Sequence, residues 1–246
     1  IKGFNISVVE IQKWKDCMTN GVKGKDGNIE GQISESTIGI YLRSCRTIWN
    51  VCRSQGYLLD VTYPFSNKKE KHLVSIPRSK VKKKVYLKRE QFTELYNVFV
   101  NKNYPDTWKK GYAERAHYSL GLFLAQYLCN GFNLADAARL QYNDYYFQTG
   151  KRAFLFNRKK TADRSYNDSE VVIPIIEPLQ VILDEIAATP SRDGYVFPEI
   201  FNGVTSEKER RKRTAQENSN IQDRVTKICH DVLGWDKAIR PSGTWC

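Results

Sequence analysis

The apolar stretch HYSLGLFLAQYL (117–128) stops at Asn130-Gly131, and a second helical pattern, NLADAARL, starts almost at once. A run this apolar is read as a buried helix, so the rest of its domain must be built around it. The break has a local explanation. Asn130-Gly131 is suited to the left-handed conformation that ends a helix. Asn133 then caps the next helix, with Asp136 at its third position in a variant of the capping box.

Two other segments carry strong periodicity. Ser7 is placed to cap ISVVEIQKWKDCM, in which Val8, Ile11 and Trp14 recur at helical spacing. After a Gly- and Asn-rich loop at 20–32, ISESTIGIYLRSCRTIWNVCRSQG gives the clearest helix, with Ser34 or Ser36 as cap and Gly56 as stop. Its residues Ile38, Leu42, Cys45, Trp49 and Cys52 step by 4, 3, 4 and 3 and form one core-facing stripe. Arg43, Arg46, Asn50 and Arg53 form a second stripe, within roughly 80° on the wheel at about 100° per residue. A solvated helix face usually alternates signs. Here no acid relieves the arginines from 43 to 53, and a phosphate backbone is the natural partner.

Composition points the same way. Lys and Arg number 39 against 27 Asp and Glu, a formal charge of +12, so a polyanion is the expected partner. No apolar run approaches the roughly 18–20 residues of a membrane span. Nothing resembles a signal peptide, and a cytoplasmic protein with no membrane partner is expected. The six cysteines and three histidines lack metal-ligand or disulfide-framework spacing. The cysteines are read as reduced thiols, most of them buried, and neither metal nor cofactor is expected.

Residues 66–90, SNKKEKHLVSIPRSKVKKKVYLKRE, hold ten basic and two acidic residues with little apolar periodicity. They read as an interdomain linker, serving either as a solubilising charge run or as a strap along DNA through Lys80, Lys82, Lys83 and Lys84. Beyond it, helices are expected at 88–101, 112–129, 178–188 and near 215–233. YNDYYF, RAFLFN and EVVIPII read as β-rich, and SEKERRKRT (206–214) as an exposed loop. The expected class is mainly α with a small antiparallel β-sheet (α+β). A helical domain at 1–65, a basic linker at 66–85 and a larger domain at 86–246 make up the chain. It starts at Ile1 rather than Met and stops at GTWC, so an excerpt of a longer protein is expected.

Four segments, in order, resemble the tyrosine recombinase (phage-integrase) family, in the branch carried by conjugative transposons and prophages. STIGIYLRSCRTIWNVCRSQGYL followed by YPF resembles its helical, SAM-like core-binding domain. YLCNGFNLADAARLQY resembles the segment around the first catalytic arginine, FLFNRKKT the hairpin with the catalytic lysine, and YVFP with ICHDVLG the pattern that follows. The resemblance implies a site-specific recombinase that cleaves and rejoins duplex DNA through a 3′-phosphotyrosyl intermediate. Two arginines would clamp the phosphate and a lysine would protonate the leaving 5′-oxygen, without metal or ATP. Partners would be double-stranded DNA and further copies of the chain, as a dimer or tetramer.

Carried over by position, Lys160 matches the hairpin lysine; Lys159 beside it is expected to contact DNA. Asn133 stands where the first arginine would be, and Arg139 and Arg158 are both candidates for the missing charge. Trp245 falls at the histidine of the His-x-x-Arg segment. No tyrosine follows Tyr195, so these 246 residues are expected to bind DNA without cleaving it. The alternatives are a non-catalytic DNA-binding relative, acting as accessory or competitor factor, and a basic RNA-binding protein.

Overall fold

Ser7 opens the first helix of the computed structural model, which describes residues 7–24, 26–58, 62–66, 72–78, 86–157 and 170–241. The Ser7 N–H donates to Glu10 Oε2 at 2.6 Å and Ser7 Oγ accepts from the Glu10 N–H, a reciprocal capping box for α1 (Val8–Asn20). The chain divides into two compact units, Ile1–Lys83 and Lys84–Cys246.

In the first unit, the loop expected at 20–32 contains a short antiparallel pair, β1 (Val22–Lys23) and β2 (Ile29–Glu30). Of the two candidate caps for α2 (Glu35–Ser54), Ser34 is the one used, accepting from the Thr37 N–H at 3.3 Å. The helix stops where Gly56 turns to φ 78° and the Tyr57 N–H reaches back to the Cys52 carbonyl at 2.9 Å. Ile38, Leu42 and Trp49 are buried against Ile11 and Met18 of α1, with Cys45 partly buried beside them. The expected core stripe is therefore in the core except at Cys52, which is half-buried and lies outside the cluster.

β3 (Phe65–Ser66) and β4 (Val74–Ser75) pair in parallel, Phe65 opposite Val74. Val74 is fully buried in the first unit's core. This departs from the linker expected at 66–85, because the described part of that segment is built into the first unit. A two-residue strand is too short to show alternation, which is why LVSI looked aperiodic. Lys80, Lys82, Lys83 and Lys84 lie outside the described residues.

The second unit forms around α4 (Lys110–Leu128), which follows α3 (Arg89–Asn101). Leu120, Leu122, Phe123, Leu124 and Ala125 are all buried, so apolar side chains leave α4 in every direction. The helix packs on α3 and on two later helices, α7 (Glu177–Ile186) and α8 (Glu207–Asp231). Gly121 permits the approach, since a Cβ there would lie 2.8 Å from Ile186 and 2.9 Å from Phe99. Between α4 and α7 come α5 (Leu134–Ala137), α6 (Asp144–Gln148) and the antiparallel pair β5 (Ala153–Asn157) and β6 (Glu170–Pro174).

Two expectations are overturned here. YNDYYF is not a strand but contains α6, because Asn143 caps it, accepting from the Tyr146 N–H at 3.2 Å. Tyr142 and Tyr146, four residues apart, then meet at a tilt with ring centres 4.9 Å apart, and Tyr146 stacks on Phe154 at 5.1 Å. The cap and the i, i+4 aromatic contact outweigh β propensity. SEKERRKRT is not a loop but the opening of α8, with Ser206 at the cap position and Glu207 and Glu209 in the first turn. Lys, Arg and Glu are good helix formers, and acids in the first turn suit the helix dipole.

Among the described residues the chain is thus mainly helical with small two-stranded sheets, compatible with the expected α+β class, although the strands are spread over separate pairs rather than one antiparallel sheet. No helix among the described residues is long and apolar enough to cross a membrane.

Candidate nucleic-acid interface and cleft

The break between α4 and α5 is built as the capping chemistry dictates. Asn130 and Gly131 take φ 57° and 68°, and the Gly131 N–H donates to the Gln126 carbonyl at 2.9 Å, closing a Schellman-type end. Phe132 is buried and Asn133 begins α5, its Oδ1 accepting from the Asp136 N–H at 3.0 Å. The carbonyl end of the Asn133 amide is therefore spent on the cap. Its amide nitrogen keeps two donors but carries no charge.

One turn further on, α5 borders a cavity of about 220 Å³. Asp136 and Arg139 line one side; Leu155, Phe156, Asn157 and Glu170 of the β5–β6 hairpin line the other. Gln141 and Asn143 complete it, each tied to backbone: Gln141 donates to the Asp193 carbonyl at 2.7 Å and Asn143 to the Leu155 carbonyl at 2.6 Å. CNGFNLADAARL and the described part of FLFNRKKT, residues 154–157, thus share one cleft.

Arg139 is held rather than loose. Nη1 donates to the Ala135 carbonyl at 2.9 Å, Nη2 to Glu207 Oε1 at 2.8 Å, and the guanidinium lies 5.5 Å from the Phe201 ring centre. Arg210 covers the same ring at 4.7 Å and donates to the Val204 carbonyl. The described lining therefore sets Asp136 and Glu170 against a single cation already paired with Glu207. A phosphate bound here would need positive charge from the hairpin segment that follows Asn157. That segment carries Arg158, Lys159 and Lys160, which lie outside the described residues, as does Trp245.

In the first unit the second stripe of α2 is present as a face. Asn50 and Arg53 are exposed, while Arg43 and Arg46 are half-exposed. Arg43 Nη1 donates to the Pro77 carbonyl at 3.5 Å.

The two buried thiols are held in the protonated form. Of the five described cysteines, Cys129 and Cys229 are buried, Cys45 and Cys52 half-buried and Cys17 exposed, so fewer are buried than expected. Burial pushes both Cys129 and Cys229 up to about 12, far from the thiolate form. Among the described residues, His, Cys, Asp and Glu side chains form no cluster of three that could hold a metal.

No protein-family model, curated protein or solved structure matches this chain. Sequence reasoning missed Glu207, Gln141 and Asn143. Only Asn143 left a legible signal, an Asn-Asp pair of the kind that starts a helix.

Proposed function

We propose that this chain is part of a site-specific DNA recombinase of the tyrosine type. The observation that carries the reading is the shared cleft: α5, which Asn133 caps, and the β5–β6 strands, the first of which precedes Lys160 in sequence, border one cavity. In such an enzyme a tyrosine oxygen attacks the phosphodiester phosphorus. A 3′-phosphotyrosyl bond forms as the bond to the 5′-oxygen breaks, and Lys160 delivers the proton that the leaving oxygen takes up. The linkage energy is kept in the phosphotyrosyl ester, so rejoining needs no external energy source. Because no tyrosine follows Tyr195, the nucleophile would come from sequence after Cys246. In the cell it would act on double-stranded DNA in the cytoplasm, as a dimer or tetramer.

The arginines of α2 support a duplex-binding role for the first unit, with Lys80, Lys82, Lys83 and Lys84 adding sequence-independent affinity. A second reading, a non-catalytic DNA-binding relative, draws support from the same cleft. Asn133 spends its carbonyl on a cap, and Arg139 is paired with Glu207.

A suicide-substrate assay separates the two. Protein expressed from the reading frame extended past Cys246 is incubated with nicked duplex from the mobile element's own end. A denaturation-resistant adduct that is lost in Lys160→Ala, with DNA affinity retained, is the expected result. Tight, salt-sensitive binding without adduct would replace the recombinase with the non-catalytic relative.

A further inference from the structure

The arginine stripe of α2 has an absent member. Stepping back from Arg43 by four residues, the next position on the same arc is Gly39, within about 40° of each of Arg43, Arg46, Asn50 and Arg53 at 100° per residue. Glycine in a helix interior is unfavourable, so a packing reason is expected. The structure supplies one. A Cβ on Gly39 would sit 2.5 Å from the Pro77 carbonyl oxygen, a backbone atom that cannot swing aside.

The segment that occupies this place is fixed from several sides. β4 pairs with β3, Lys15 Nζ donates to the Ser75 carbonyl at 2.9 Å, and Arg43 Nη1 to the Pro77 carbonyl at 3.5 Å. Arg78 is bonded to that carbonyl carbon and is exposed. Its backbone therefore begins beside the Arg43 guanidinium, adding a cation to the stripe one turn beyond Glu35, the acid that opens α2.

We propose that Arg78 is the fifth member of the α2 stripe, supplied from another segment in place of the side chain Gly39 lacks, and that Gly39 is the positioning residue that admits it. The stripe then runs from 39 to 53, about 21 Å at 1.5 Å per residue. That exceeds the roughly 12 Å width of a B-DNA major groove, long enough for its two ends to meet phosphates on opposite strands. The ligand is duplex DNA backbone, and the inference rests on the DNA-binding reading above.

The test is duplex binding by the full 246-residue chain across a salt series, by fluorescence anisotropy. Arg78→Ala removes one phosphate contact, so the slope of log K against log salt should fall by about 0.9 and affinity at 0.1 M salt roughly eightfold. Gly39→Ala changes no charge and favours helix formation, yet it should lower the slope similarly by displacing Pro77. Arg78→Ala should then add little in the Gly39→Ala background, and the loss should be larger on duplex than on single-stranded DNA. A helical, folded Gly39→Ala protein with unchanged slope overturns the positioning role. An unchanged slope in Arg78→Ala overturns the whole inference, and that variant decides alone if Gly39→Ala fails to fold. Equal effects on binding to phosphatidylserine vesicles would replace DNA by a general anionic surface. Absence of salt-dependent duplex binding in the unsubstituted chain would defeat the DNA-binding reading itself.

Discussion

Arg139 Nη2 and Glu207 Oε1 meet at 2.8 Å, joining the second residue past α5 to the first residue of α8. The arginine also donates to the Ala135 carbonyl and lies over Phe201, so it is fixed from three sides. Arg139→Ala removes a charge-assisted hydrogen bond and a stacking contact and should cost about 1–3 kcal/mol of stability. Glu207 is nearly half exposed, and solvent screens the pair from its side. Glu207→Gln should therefore cost under about 1 kcal/mol. It should also leave Arg139 with a weaker competitor for phosphate, so duplex affinity should rise in Glu207→Gln and fall in Arg139→Ala. Urea unfolding and anisotropy on the same variants check both.

Asn133 has two separable parts. Oδ1 accepts from the Asp136 N–H, whereas Nδ2 is the part that could donate to a phosphate oxygen. Asn133→Asp keeps the acceptor and should hold stability to within about 0.5 kcal/mol, while Asn133→Ala should lose roughly 0.5–2 kcal/mol as a missing cap. If the amide also meets DNA, Asn133→Asp should weaken duplex binding despite its intact fold. Equal affinity in Asn133→Asp would leave the residue a cap and nothing more.

His117 gives the second unit a pH dependence. Its ring stacks on Phe99 at 4.3 Å, Nδ1 meets the Tyr104 hydroxyl at 2.9 Å, and Nε2 faces Glu185 at 3.5 Å, which Lys102 also engages. Burial holds the imidazole below its ordinary value near 6.5, with Glu185 opposing and Lys102 adding to the fall. In the interval beneath 6.5 the unfolded chain then binds more protons than the folded one. Stability should be full above that value and decline as pH falls through the folded value. His117→Gln should flatten this slope in urea midpoints taken between about pH 5 and 8. Glu185, held low chiefly by its Lys102 hydrogen bond, adds a separate loss that begins as pH falls below the ordinary carboxylate value near 4.5 and runs through its lowered folded value.

Much of this was legible because caps and periodicity are local. Ser7, Ser34, Gly56, Asn130-Gly131 and Asn133 each do what their residue type suggests, and the Ile38–Leu42–Trp49 stripe is the first unit's core. What escaped was set by partners distant in sequence. The opening of α8 carries no apolar period, so its helix formers read as a charge run; Glu207 gained meaning only when the fold brought it to Arg139. YNDYYF misled because its aromatics have high β propensity but contact one another at helical spacing. Gly39 gives no local sign of its role, because the Pro77 carbonyl that leaves no room for a Cβ there lies 38 residues away in sequence.

The indole of Trp49 offers a test of the first unit's packing. Its ring is buried edge-on to Phe65 at 6.3 Å, yet its Nε1–H is buried and meets no acceptor among the described residues. A buried donor without an acceptor costs about 1–3 kcal/mol, which the apolar contacts of the ring must outweigh. Trp49→Ala keeps none of those contacts and should lose about 3–5 kcal/mol. Trp49→Phe gives up part of the volume but also removes the stranded N–H. The two terms are of similar size and opposite sign, so it should fall within about 1 kcal/mol of the parent chain. Chemical denaturation of the two variants checks this, and a Trp49→Phe loss as large as that of Trp49→Ala would mean that the indole N–H finds an acceptor after all.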